Sequence, residues 1–380
     1  MRERLAAAAP WILTAVALVL LAGSLQHPGE PLSPQSLANR AFASSLDYGT
    51  AIEKLNRVWP PLYPSLLWVA KRAALPPDQV SWILFAAGLA LLVPVGRRLA
   101  PEVHPGWWIG LYTAFSFHVP LLQQLVSETL LVPLALALVW ALLEYRDRGR
   151  TRDLALVGVL LAACFLTRYF ALVWLAPLSL LFVARAAPGT PVAKVVRAGS
   201  VVGLACLPVL AWMLHARLTT GFLTGMDRFA PRIFDAKTTL GGNLLFTGRT
   251  LFVDAFVPGR SGTHAAVGSD WTLDPTGVAV GVVAVALAAW CCIEARKTPP
   301  RSWLLLGLSV GYPLLLIAVW TAGNNDPIYT RFLYPSYVFF GLAAAHVYSC
   351  VKATGEPRAR WPFRALYVWL AVAQLAGSLT

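Results

Sequence analysis

Charge is scarce in this chain. Asp, Glu, Lys and Arg make up 13% of its 380 residues, against roughly 25% in a soluble domain, which excludes a solvated globular surface over most of its length. Acids are the scarcer sign, 18 against 31 Lys and Arg. That excess does not mark a nucleic-acid binder, because the basic residues gather in short segments between apolar runs, the pattern of cytoplasmic loops. Cysteine is also sparse. Cys164, Cys206, Cys291, Cys292 and Cys350 all lie in apolar runs or at their basic ends, so no disulfide framework is implied and no CxxC metal spacing exists. The histidines, His27, His104, His118, His215, His264 and His346, show no HExxH spacing. There is no Walker loop and no GxGxxG after a strand, which argues against an ATP-driven pump and a soluble-type nucleotide-sugar enzyme. No internal repeat is visible, so the inverted-repeat signature of a secondary transporter is missing.

What the chain does have is apolar length. Hydrophobic residues make up 57% of it, and several windows approach the roughly 20 residues that cross a bilayer as helix. The expected fold is an all-α, polytopic transmembrane bundle of about 11 spans, read as one membrane domain over 1–380. Its core is 1–215 with a first outer loop at 26–78, followed by an outer loop at 216–275 and C-terminal spans in 276–380. The first apolar run, Leu5–Leu25 behind Arg2 and Arg4, reads as an uncleaved helix with a cytoplasmic N-terminus. Further spans are expected near 79–96, 106–122, 128–144, 198–215, 276–293, 303–321, 332–350 and 364–379. The run Leu154–Ala184 reads as two short passes broken near Thr167-Arg168. This threading sends the basic segments "EYRDRGRTRD", "EARKTPPR" and "KATGEPRAR" to one side, as the positive-inside rule asks.

That agreement depends on "WPPLYPSLLWVAKRA", Trp59–Ala73, which must not span. Its apolar run from Leu62 to Ala70 makes only about 14 Å of helix against about 30 Å of hydrocarbon. A short interfacial or partly re-entrant helix on the outer face is expected. Trp59 and Tyr63 suit the headgroup region, and Lys71-Arg72 are placed to reach phosphates.

Ionisable groups at a membrane face are candidates for function. Glu30 follows the first span, Asp47 lies in the same outer loop, and Glu128 opens a span behind Ser127. Ser127 as a helix cap and Glu128 as a helix-dipole partner are the plainer roles there. A solvated loop carboxylate is the plainer role for Glu30 and Asp47. Arg168 lies between two apolar passes, far from any basic cluster, and Arg331 opens a late span from the outer side. Each reads either as a helix anchor at the headgroups or as a clamp for phosphate or carboxylate.

Four segments carry a resemblance to a known family. They are "WPPLYPSLL" (59–67), "VSETLLVPLALALVWALL" (126–143), "FLTRYFALVWLAPLSLLF" (165–182) and "YTRFLYPSYVFF" (329–340). In this order they resemble motifs of the GT-C superfamily of polytopic glycosyltransferases, in the bacterial branch related to protein O-mannosyltransferases and lipid A aminoarabinose transferases. The likeness covers roughly Trp11 to Tyr348.

The resemblance implies an inverting transfer of a sugar from a polyprenyl-phosphate donor to a hydroxyl of a glycan, lipid or protein acceptor, at the outer face of a bacterial inner membrane. An acid of the first outer loop would be the general base. Basic groups would hold the lipid phosphate as it leaves. Carried onto this sequence, the catalytic candidates are Glu30, Asp47 and Glu128. The candidates for the lipid phosphate or donor are Arg168, Arg331, Tyr63, Lys71 and Arg72. Glu30 stands where the family usually has Asp, and Pro34 where it has an aromatic, so Asp47 is the second candidate for the base. No cofactor is firmly implied, and a metal requirement is not readable. The expected partners are the lipid-linked donor, its acceptor and membrane lipids, not nucleic acid. The competing classes are a transporter or flippase of polyprenyl-linked sugars, and a non-catalytic assembly partner of the same fold.

Overall fold

A computed structural model describes residues 60–113, 126–186, 189–223, 240–252, 301–322 and 333–353, together with Trp11, Ala15 and Leu122. Among the described residues there are helices and turns and no strand. Gln79–Leu99, Glu128–Arg148 and Pro191–Thr220 are long and apolar enough to cross a membrane. The chain divides into two compact units, described separately below: the first takes its described residues from 60–91 and 126–223, the second from the remainder.

The first unit begins with α1 (Leu62–Arg72), 11 residues long and so about 16 Å. Pro61 and Pro64 sit at its start, where backbone N–H groups have no partner within the helix and proline costs nothing. Its end is a Schellman turn: the Leu75 N–H donates to the Ala70 carbonyl at 2.9 Å and the Ala74 N–H to the Lys71 carbonyl at 3.0 Å. Ala74 takes the left-handed conformation there, φ 56°, a place usually left to glycine. Tyr63, Leu67 and Ala70, spaced on one helical face, are buried against Val80, Leu84 and Leu130. The short helix expected from the sequence is present and is too short to span.

Helix α2 (Pro77–Leu99) follows, its proline at the first position; its residues from 92 onward belong to the second unit. In that second unit α3 (Pro105–Thr113) is capped by His104, whose Nδ1 accepts from the Gly106 N–H at 3.1 Å.

Helix α4 (Glu128–Arg148) is the centre of the first unit and is buried nearly all round, as a helix apolar on every face must be. Gly149, at φ 63°, ends it. After this two-residue turn α5 (Thr151–Thr167) returns along it. Helix α6 (Phe170–Ala186) packs against both, and the break between α5 and α6 falls at Arg168-Tyr169.

Helix α7 (Pro191–Thr220) has 30 residues, more than the 198–215 span expected. Thr190 caps it and Gly221, at φ 80°, ends it. It packs on α5 so closely that a Cβ on Gly158 would lie 2.7 Å from that of Leu204. Further along α7, and just past the end of α5, the Trp212 indole donates to the Tyr169 hydroxyl at 3.0 Å, so α5 and α7 run in the same direction. Most of α7 is not covered by protein. Leu207, Leu210, Leu214 and Leu218 are exposed, a face suited to lipid.

In the second unit α8 (Leu240–Phe252) packs on α10 (Tyr312–Ala322), where buried Asn243 donates to Thr321 at 2.9 Å. Helix α9 (Arg301–Leu306) joins α10 through a π-helical turn, Gly307–Gly311. Helix α11 (Tyr334–Ala353) lies against α9 and that turn. Its His346 bonds the Leu99 carbonyl, and its Lys352 pairs with Glu102 at 3.1 Å.

Candidate functional site

The site is built where α4 begins and α5 gives way to α6, within the first unit. Thr167 is the last residue of α5, and its hydroxyl donates back to the Ala163 carbonyl at 2.8 Å, a local bond that competes with the helix ladder and favours a bend. Arg168 is then extended, at φ −149° and ψ 118°. Its N–H still closes α5 on the Cys164 carbonyl, while its own carbonyl accepts from the Ala171 N–H at the start of α6, both at 2.9 Å. The break therefore turns the chain while both backbone groups of Arg168 stay bonded, and it delivers the Arg168 side chain to Glu128.

Arg168 and Glu128 form an ion pair in which the side chains are 14% and 1% exposed. Glu128 is the first residue of α4, so the positive end of that helix's dipole also complements its charge. Removing either partner would leave the other charged and cut off from water, which is far costlier than the pair itself is stabilising.

Ser127 corrects the sequence reading. It stands at the capping position of α4 but makes no cap: its backbone is already helical, at φ −66° and ψ −17°, where a capping side chain cannot turn onto the N–H groups ahead of it. Its hydroxyl donates to the Glu128 carboxylate instead, at 3.3 Å. Tyr169, next to Arg168, is fixed by Trp212 and stacks at a tilt on Phe165, ring centres 5.3 Å apart.

Helix α1 lies at the same end of the unit, since its buried face meets Leu130, two residues into α4 from Glu128, and the first turns of α2. Tyr63, expected at headgroup level, is buried in that contact at 1% exposure, because it faces inward with Leu67 and Ala70. Lys71 and Arg72 are exposed, as a phosphate-reaching role requires, and the Arg72 guanidinium sits 5.2 Å from the centre of the Trp68 ring. Glu30, Asp47 and Arg331 lie outside the described residues.

The opposite end of the α4–α5 hairpin is of different character. Arg146, Arg148, Arg150 and Arg152 crowd its turn, with Glu144 held by Arg148 at 2.8 Å. The two ends lie about 30 Å apart, from the length of α4. Among the described residues, no three His, Cys, Asp or Glu side chains come close enough to hold a metal ion.

The sequence pointed to Glu128 and Arg168 separately. That they pair was not visible, because 40 residues separate them and only the fold of the hairpin brings them together. The Tyr169–Trp212 bond left no signal in the sequence at all. Comparison with protein-family models, curated proteins and solved structures gave no match to this chain.

Proposed function

We propose that the protein is a membrane glycosyltransferase of the GT-C type. It moves a sugar from a polyprenyl-phosphate donor to an acceptor hydroxyl on the outer face of a bacterial inner membrane, in the biosynthesis of cell-envelope glycans. The observation that carries this reading is the Glu128–Arg168 pair: a guanidinium mostly withdrawn from water at one end of an apolar hairpin, with the arginine-rich turn at the other. A guanidinium in that position suits the phosphate of a lipid-linked donor, which presents the same planar pair of oxygens as a carboxylate. The arginine-rich turn then marks the cytoplasmic side, which puts Arg168, Glu128 and α1 on the outer side. In this reading the chain threads the bilayer about 11 times, with α1 lying in the outer interface.

The chemistry follows from the roles proposed for the side chains. A carboxylate of the first outer loop, Glu30 or Asp47, takes the proton of the acceptor hydroxyl. The hydroxyl oxygen attacks the anomeric carbon from the face opposite the lipid phosphate, and the bond to that phosphate breaks with inversion. Arg168, helped by Arg331 and by Lys71 and Arg72 at the headgroups, balances the charge left on the departing phosphate. A flippase would need charges buried midway along the spans. The buried ion pair described here lies at helix ends, which favours the enzyme.

The test is incubation of the purified protein with a panel of polyprenyl-phosphate sugars and measurement of released lipid phosphate. Turnover is expected with at least one sugar, reduced about 100-fold or more by Glu30→Gln or Asp47→Asn. No release from any donor, or full turnover in the double variant, rejects the assignment.

A further inference from the structure

We infer that Glu128 is an internal stand-in for the donor's phosphate: it occupies Arg168 while the site is empty and gives it up when a phosphate arrives. This rests on the reading of Arg168 as the phosphate clamp. It changes the part assigned to Glu128, from a candidate catalytic acid to a residue that sets the affinity of the site.

The argument starts from cost. Arg168 serves as a clamp only if it is kept away from bulk water, because a guanidinium in water loses most of its hold on an anion. A guanidinium withdrawn from water with no anion beside it is expensive to maintain. The fold meets both demands by supplying an anion of its own. Glu128 is the first residue of α4, Arg168 is held in an extended link between two helices, and their side chains meet.

The two partners are not equally fixed. Glu128 is 1% exposed, and it has two further sources of support, the Ser127 hydroxyl at 3.3 Å and the helix end behind it. Arg168 is 14% exposed and sits on the link, outside either helix. When a phosphate oxygen approaches, the group that moves is Arg168, and Glu128 keeps compensation for its charge. Carboxylate and phosphate use the same fork of donors, so the two compete directly.

The consequence is a measurable penalty on binding. If Arg168 is turned toward Glu128 for about nine-tenths of the time, apparent affinity for a phosphate is about tenfold below its intrinsic value. Glu128→Gln removes the competing charge and keeps an oxygen that accepts from the guanidinium, so the variant is expected to fold.

The experiment uses the full-length protein in lipid nanodiscs, titrated calorimetrically with geranyl phosphate, with inorganic phosphate, and with the nanodisc's phosphatidylglycerol content varied. E128Q should bind geranyl phosphate about tenfold more tightly than wild type. R168Q should bind it poorly whether or not Glu128 is changed. Equal gains for inorganic phosphate would assign the site to the phosphate group alone, a gain confined to geranyl phosphate would assign it to the lipid-linked form, and a dependence on phosphatidylglycerol would assign it to membrane headgroups.

A second measurement needs no variant that might misfold: the infrared carboxylate band of isotope-labelled Glu in wild type should shift when geranyl phosphate is added. Unchanged or weaker binding in E128Q, with R168Q still defective, overturns the exchange while leaving the clamp standing. Normal binding in R168Q overturns the clamp itself.

Discussion

The Glu128–Arg168 pair makes the consequences of single substitutions unequal. Glu128→Ala leaves Arg168 charged and largely withdrawn from water, and is expected to destabilise by about 3 kcal/mol or more. The double variant Glu128→Ala/Arg168→Ala should lose less than the two single losses together, because no uncompensated charge remains. Denaturation in a mild detergent checks this, and strict additivity would mean the two groups do not interact. Arg168→Lys separates clamp from anchor. A lysine reaches the headgroups as well as arginine does but cannot present two parallel donors to one phosphate. Loss of donor turnover with normal expression supports the clamp, and normal turnover supports the anchor. Ala74 offers an independent check on backbone geometry. It holds the left-handed position of a helix-ending turn at φ 56°, which costs a residue with a Cβ roughly 1–2 kcal/mol. Ala74→Gly should therefore raise the thermal midpoint by about 2 °C. A fall would mean that the turn does not have this form.

At the scale of helices, glycines report which faces meet protein. Gly158 faces α7 so closely that a Cβ would lie 2.7 Å from Leu204 Cβ and 3.3 Å from the Val201 carbonyl. Gly158→Ala should force α5 and α7 apart and cost about 1–3 kcal/mol. Gly199 and Gly203 are helical too, but a Cβ on either meets nothing within 4 Å. Alanine there should stabilise by roughly 1 kcal/mol through helix propensity alone. Thermal shifts of the three variants in detergent are expected to have these opposite signs, and a uniform response would refute the packing of α7. The contrast also shows what the sequence could reveal. The break at Arg168 was legible because a lone arginine divides an apolar run too long for one pass and too short for two ordinary ones. The short α1 was legible from prolines ahead of an apolar stretch ended by Lys71-Arg72. The inward face of Tyr63 was not, because an aromatic near a proline-rich helix start suits an interface and a core equally well. The tight approach at Gly158 was not legible either, since a glycine in an apolar run does not by itself say whether it faces a neighbour: Gly199 and Gly203 lie in such a run with open space beside them, while Gly158 is packed.

Across the molecule, the question that decides the function is which side of the membrane each end of the first unit faces. The α4–α5 turn carries Arg146, Arg148, Arg150 and Arg152, and moving such a cluster across a membrane is strongly disfavoured. The opposite end holds the ion pair, α1 and the last turns of α7, which continue about 12 Å beyond the Trp212–Tyr169 bond to Thr220. If the arginine turn is cytoplasmic, the pair faces outward, where a lipid-linked sugar would be used. If it is not, the proposed chemistry is on the wrong side. Substituted cysteines settle this in a background with the native cysteines replaced by serine or alanine. Ala73→Cys, between α1 and α2, and Phe222→Cys, after α7, should react in intact cells with a maleimide that cannot cross membranes. Arg150→Cys should react only after permeabilisation. Because all three positions lie in one compact unit, their pattern is a single statement about its orientation. Reaction at Arg150 in intact cells, with Ala73 and Phe222 protected, would invert the unit and remove the outer-face glycosyltransferase reading. Protection of Ala73 alone would mean that α1 reaches across the bilayer, which its 11 residues do not have the length to do.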